Sequence, residues 1–142
     1  MLPCNYNKVN NENKFYDSRD NCNAIIETRN DKLIVGCVET KIPNTITEIG
    51  SDAFAYSAIR RITIPKSVKY IDNCAFYGCK YLEEINMNNG VTTISYGAFY
   101  NCNSLSTIYY NGTSEELSNI KMGVLNISHD ITFKCEGDNY DF

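Results

Sequence analysis

Apolar residues recur along this chain at a long, nearly fixed interval. Ile46, Ile49 and the pair Ala53-Phe54 are answered 22 residues later by Val68, Ile71 and Ala75-Phe76, then 23 residues later by Val91, Ile94 and Ala98-Phe99. Each unit runs on into a second cluster: Ile59-x-x-Ile62-x-Ile64, Leu82-x-x-Ile85-x-Met87 and Leu105-x-x-Ile108-x-Tyr110. Self-similarity on this scale signals stacked supersecondary units rather than one folded-over core. Within the second cluster Ile62 and Ile64 alternate with Arg61, Thr63 and Pro65, the period of a strand with one buried side. The small-large pairs form a second stripe, predicted to sit on short helical turns opposite the strands. A single unit cannot bury its own apolar side, so stacking of neighbours must supply the core.

The flanks carry their own signals. Ala24-Ile-Ile-Glu-Thr28 and Lys32-Leu-Ile-Val-Gly36 surround Arg-Asn-Asp and predict a β-hairpin, placed to cover the first strand of the array and protect its open edge. Thr113-Ser-Glu-Glu116 fits a capping box ahead of Leu117, Ile120 and Met122, and Ile131 to Cys135 offers a last strand. The expected layout is a single domain: a flexible segment 1–14, a capping hairpin and first strand over 15–45, three repeats over 46–112, a helix-and-strand cap over 113–136 and an acidic tail over 137–142. With both ends capped, the chain is expected to be a complete small solenoid.

These motifs resemble the BspA-type (Treponema-type) leucine-rich repeat. The match rests on Ile42-Pro43, Ile46, Ile49-Gly50 and Ala53-Phe54, then Ile64-Pro65, Val68, Ile71, Ala75-Phe76, Gly78-Cys79 and Leu82, then Val91, Ile94, Ala98-Phe99, Cys102 and Leu105. Upstream, Tyr16 to Thr28 and Leu33 to Cys37 are similar to the segment preceding such arrays in gut-bacterial members, and downstream Ile108 to Thr113 is similar to a closing unit. Asp72 and Ser95 depart from the usual glycine, and Leu117 stands where tryptophan is common. The resemblance implies a leucine-rich-repeat solenoid, α/β or mainly β, with short parallel strands on a concave sheet. It also implies binding, since relatives are often surface proteins linked to adhesion to host matrix proteins or other cells.

Composition narrows the chemistry. The net charge is −4, and it arises in the last thirty residues, where two basic side chains face six acidic ones. A neutral body with an acidic end lacks the basic surface that nucleic acid requires. No apolar run is long enough to cross a bilayer. No signal peptide precedes the array, which favours the cytoplasm for the chain as given, and the cell surface or secretion if an export signal has been removed. The seven cysteines contain no C-x-x-C and are expected to be reduced and buried. Cys79 and Cys102 occupy equivalent places and should stack in the core; neither the cysteines nor the single His129 has the spacing of a zinc site. Without a phosphate loop or a G-x-S-x-G elbow, no cofactor, metal or catalytic residue is nominated. Asn111-Gly-Thr113 and Asn126-Ile-Ser128 match the glycosylation pattern without the export context that would give it meaning.

The candidate site is therefore a surface. In the strand register above, outward positions form columns: Glu39 and Lys41, then Arg61 and Thr63, then Glu84, Asn86 and Asn88, then Thr107 and Tyr109. Tyrosine and arginine are enriched at protein–protein hot spots, so a protein partner on this concave face is the leading expectation, against an ordinary solvated sheet face. A partner-blocking inhibitor or adaptor inside a cell, of phage or mobile-element type, would use the same face. Tyr56, Tyr77 and Tyr100 form a second stripe, suited either to sugars or a partner, or to a ladder of half-buried rings.

Overall fold

A computed structural model describes residues 8–137. Residues 1–7 of the flexible end assigned to 1–14, and all but the first residue of the acidic tail assigned to 137–142, lie outside the described residues. The chain winds as a solenoid of about four turns, mainly β with little helix. Among the described residues the strands are β1 (Tyr16–Asp17), β2 (Ile25–Glu27), β3 (Lys32–Val35), β4 (Glu48–Ile49), β5 (Arg61–Ile64), β6 (Tyr70–Ile71), β7 (Glu84–Asn88), β8 (Thr93–Ile94), β9 (Thr107–Asn111), β10 (Lys121–Met122) and β11 (Thr132–Cys135), with a short α-helix, α1 (Ser114–Ser118), and a single 3-10 turn at Arg19–Asn21.

Two sheets run along the solenoid. The four-stranded sheet has the order β11-β9-β7-β5 and is parallel throughout. The seven-stranded sheet has the order β1-β2-β3-β4-β6-β8-β10; its two-residue strands were not anticipated, because Glu48-Ile49 and its equivalents are too short to show alternation. All seven apolar columns of the repeat are interior. Ile46/Val68/Val91, Ile49/Ile71/Ile94, the Ala-Phe pairs, Ile59/Leu82/Leu105, Ile62/Ile85/Ile108 and Ile64/Met87/Tyr110 are all buried. The phenylalanines stack ring on ring, with centroids 5.0 Å apart for Phe54–Phe76 and 5.5 Å for Phe76–Phe99, close to the spacing of neighbouring strands.

The Ala-Phe stripe corrects one expectation: it is not helical. Alternate amides bond to the next coil, as in Phe54 N–H to Ala75 O (2.8 Å), Tyr56 N–H to Tyr77 O (2.7 Å), Phe76 N–H to Ala98 O (2.8 Å) and Gly78 N–H to Tyr100 O (2.8 Å), while those between them close short turns, as in Ala75 N–H to Asp72 O (3.2 Å) and Tyr77 N–H to Cys74 O (2.9 Å). The cause lies in two left-handed residues per coil. Asp52, Cys74 and Gly97 have φ of 57°, 55° and 62°, and Tyr56, Gly78 and Asn101 have φ of 61°, 68° and 60°. An L-residue pays a steric cost there and a continuing helix cannot pass through it. Only Gly78 and Gly97 mark these positions in the sequence, each in a different repeat.

The caps form as expected, with one change of place. The hairpin β2-β3 is antiparallel, and β3 then pairs in parallel with β4. It therefore caps the seven-stranded sheet and leaves β5, the first strand of the other sheet, at an edge. Arg19 ties the cap together: it grips Asp17 through Nε (2.8 Å) and Nη2 (2.6 Å), and reaches Asp31 through Nη1 (2.6 Å). At the other end Thr113 and Glu116 exchange both bonds of the capping box, and β11 closes the four-stranded sheet.

Three outcomes test these contacts. Phe76→Ala, which opens the middle of the ring stack, should lower unfolding free energy by about 3–5 kcal/mol in a urea titration. Gly97→Val should cost about 1–2 kcal/mol while Gly97→Asn costs less, because the nearest atom to an added Cβ is Cys74 Sγ at 3.4 Å, leaving backbone conformation as the main obstacle. The Arg19 guanidinium holds the Asp17 carboxyl down to about 2. A depressed carboxyl contributes stability above its unfolded pKa, near 3.9, and loses it as pH falls through the folded value. The stability advantage of wild type over Asp17→Asn should thus be constant at neutral pH and vanish between about pH 4 and pH 2.

Candidate functional site

The outward face of the four-stranded sheet follows from strand alternation. Ile62, Ile64, Ile85, Met87, Ile108 and Tyr110 turn inward, so their neighbours turn out. The parallel register aligns those neighbours across the strands: Arg61 with Glu84 and Thr107, Thr63 with Asn86 and Tyr109, and Asn88 with Asn111. β11 adds Thr132 beside Thr107 and Lys134 beside Tyr109, and Glu136, whose amide bonds to Gly112 O at 3.0 Å, follows it.

Charge is divided across this face. At one end Arg61 Nε lies 3.3 Å from Glu84 Oε2, and Arg60 lies 3.3 Å from Glu83 on the flanking positions. Both arginines are largely exposed, so these pairs orient side chains more than they stabilise the fold. The opposite end is built from amides, an aromatic ring and one charge of each sign. Lys134 Nζ sits 5.6 Å from the centre of the Tyr109 ring, within cation–π range. Asn88 Nδ2 donates to Ile64 O at 3.2 Å. The Asn111 amide lies between Asn88, whose Oδ1 accepts from Asn111 Nδ2 at 2.9 Å, and the Glu136 carboxylate. Together these side chains border a recess of about 380 Å³.

The structure brings Arg61, Thr63, Glu84, Asn86, Asn88, Thr107 and Tyr109 onto one surface, as their spacing predicted. Glu39 and Lys41 do not join it as a strand. Glu39 falls in a turn and Lys41 in irregular chain, because Thr40 is drawn inward: its hydroxyl donates to Asn23 O (2.8 Å) and accepts from Cys37 N–H (2.7 Å). Thr132, Lys134 and Glu136 complete the face and were missed, although the alternation Ile131-x-Phe133-x-Cys135 carried the signal.

The tyrosine stripe packs on itself. Tyr56 meets Tyr77 edge-on at 5.2 Å and 86°, and Tyr77 tilts against Tyr100 at 5.3 Å and 39°. Such angles give an interlocked ladder instead of a flat stacking platform. Cys79 and Cys102 stack as core thiols, donating to Phe54 O (3.0 Å) and Phe76 O (3.1 Å). The contact with Cys79, together with burial, pushes the Cys102 thiol far up, so it stays protonated. Cys22, Cys74, Cys79, Cys102 and Cys135 are reduced thiols, as expected, whereas Cys37 departs from the expectation of reduced cysteines: it is disulfide-bonded. His129 Nε2 lies 2.6 Å from Leu105 O, a structural contact on the closing segment. Among the described residues no group of three or more His, Cys, Asp or Glu side chains is gathered to hold a metal, and no helix is long and apolar enough to cross a membrane.

Residues 31–131 match the model of the BspA type leucine rich repeat region in six copies. A leucine-rich repeat protein from Eubacterium ventriosum has a similar structure, with a TM-score of 0.68 and 25% identity over 85% of this chain and 32% of that one. A leucine rich cell surface protein from Faecalibacterium prausnitzii is 23% identical over 76% of this chain and 42% of that one, with a TM-score of 0.38. This chain thus spans about a third of the length of the first of these proteins. No curated protein matches it.

Proposed function

The chain belongs to the BspA-type leucine-rich repeat family, and we propose that it is a non-enzymatic docking module that holds a protein partner against the outward face of its four-stranded sheet. The observation that carries this reading is the register: four parallel strands fix the outward side chains in rows, with Tyr109 between Asn86 and Lys134. A face preformed in this way loses little conformational entropy on binding, which favours affinity from a modest area. Tyr109 is 37% exposed, so a partner can still cover its ring, and tyrosine supplies apolar area together with a hydroxyl at low entropic cost. The arginine–glutamate end would steer and register the partner, and the amide end would satisfy its polar groups.

The same face would serve adhesion outside a cell or an inhibitor or adaptor inside one: the disulfide at Cys37 suits oxidising surroundings, whereas the reduced thiols of Cys22, Cys74, Cys79, Cys102 and Cys135 suit reducing ones.

Capture from matrix proteins and cell-surface extracts, followed by titration of the retained protein, tests the reading. Tyr109→Ala should weaken binding by about 30-fold, the loss of a hot spot worth about 2 kcal/mol, and Lys134→Glu should weaken it as well. Tyr100→Ala, on the other stripe, should change affinity less than twofold. Full binding by both sheet-face variants would move the partner off this face.

A further inference from the structure

The four-stranded sheet begins with an open edge, and that edge has a built wall opposite it. Arg60 O accepts from Glu83 N–H at 2.8 Å, which fixes the direction of the main chain in β5. Because successive residues alternate, Ile62 and Ile64 also turn their amides and carbonyls towards β7, and Asn88 Nδ2 bonds to Ile64 O in keeping with this. The N–H and C=O groups of Arg61 and Thr63 therefore point away from the sheet. No described strand pairs there, since β5 ends the order of its sheet. Across the gap runs the segment around Lys41 that spacing had predicted as a strand. It is held back on its far side by Lys41 N–H to Cys22 O (3.2 Å) and by the Thr40 hydroxyl on Asn23 O. Between the two lies a slot of about 400 Å³ bordered by Thr40, Lys41, Ile42, Arg61, Thr63 and Pro65, a ligand-sized volume.

We propose that this slot binds a short extended peptide carrying carboxylates, added as an outer strand to β5. The main-chain groups of Arg61 and Thr63 offer two donors and two acceptors in strand spacing, the chemistry of strand addition. The slot's lining contains Lys41 and Arg61 and no carboxylate; Arg61 is shared with Glu84, whereas Lys41 has no ion pair among the described residues and carries the unpaired charge. That balance selects acidic side chains on the incoming strand. It also disfavours a second copy of this chain, because pairing two β5 edges would bring like charges together. The assignment rests on the outward main-chain groups of β5, at the arginine end of the sheet face, and does not involve Tyr109.

The test uses hexapeptides that alternate glutamate with valine or threonine, beside the same peptides with lysine for glutamate, followed by amide NMR of the whole chain. The glutamate set should shift the Arg61 and Thr63 amides, slow their hydrogen exchange at least tenfold, and bind at least tenfold more tightly than the lysine set. Thr63→Pro should abolish binding, since proline removes an outward N–H without touching the ladder to β7, and Tyr109→Ala should leave it unchanged. Should Thr63→Pro not fold, peptides N-methylated on the edge-facing amides serve instead and should fail to bind. The proposal is overturned by no binding of either set, by equal binding of the lysine set, by binding that survives Thr63→Pro or N-methylation, or by edge shifts that follow protein concentration and report a dimer.

Discussion

Coil-on-coil stacking is the interaction on which the rest of this molecule depends. Each turn of the chain leaves an apolar side that only an identical neighbour can cover. Hydrogen bonds between turns set the rise at strand spacing, and the same spacing lets Phe54, Phe76 and Phe99 lie ring against ring. Once that rise is fixed, every inward position falls above its equivalent, and so does every outward one. The gain is large enough to hold Asp52, Tyr56 and Cys74 in left-handed conformations that L-residues disfavour. Strain is accepted at those corners because the bonds they allow run between coils.

The proposed docking role rests on the same stacking. The outward face is a surface whose side chains are placed by the core beneath them, so Arg61, Glu84, Tyr109 and Lys134 are as well registered as the buried columns they alternate with. A binding surface of this kind can be altered residue by residue without disturbing the fold, since outward positions contribute little to the interior. The ends are different. The hairpin meets the array through β4, so one sheet is continued by its cap while the other begins at a bare strand. Thr40, by turning inward to bond with the cap loop, creates the gap beside that strand.

Much of this was visible in the residues. The period placed Ile62, Ile85 and Ile108 inside and Arg61, Asn86 and Tyr109 outside; Arg-Asn-Asp between two apolar runs marked the hairpin; and Thr113 with Glu116 marked α1. Those features are local, or repeat with a local pattern, so side-chain chemistry at known spacing is enough to state them. Phe76 and Cys79 could likewise be assigned to the core, because their equivalents recur in the next unit.

Other features depended on how distant segments meet. Ala75-Phe76 could be a turn of helix by pattern alone; it is a bonded corner because Phe76 N–H finds Ala98 O on the following coil. Glu39 and Lys41 alternate like strand residues, yet the pull of Asn23 O and Cys37 N–H on Thr40 keeps them out of the sheet. Lys134 and Glu136 join the face only because β11 pairs with β9. Burial of the repeated apolar columns and the length of the repeating path could be read from the residues alone, since hydrophobic periodicity is a property of the chain. The tertiary structure decided which backbone groups find partners and which edge stays open, because a hydrogen bond between coils depends on two segments arriving at one place.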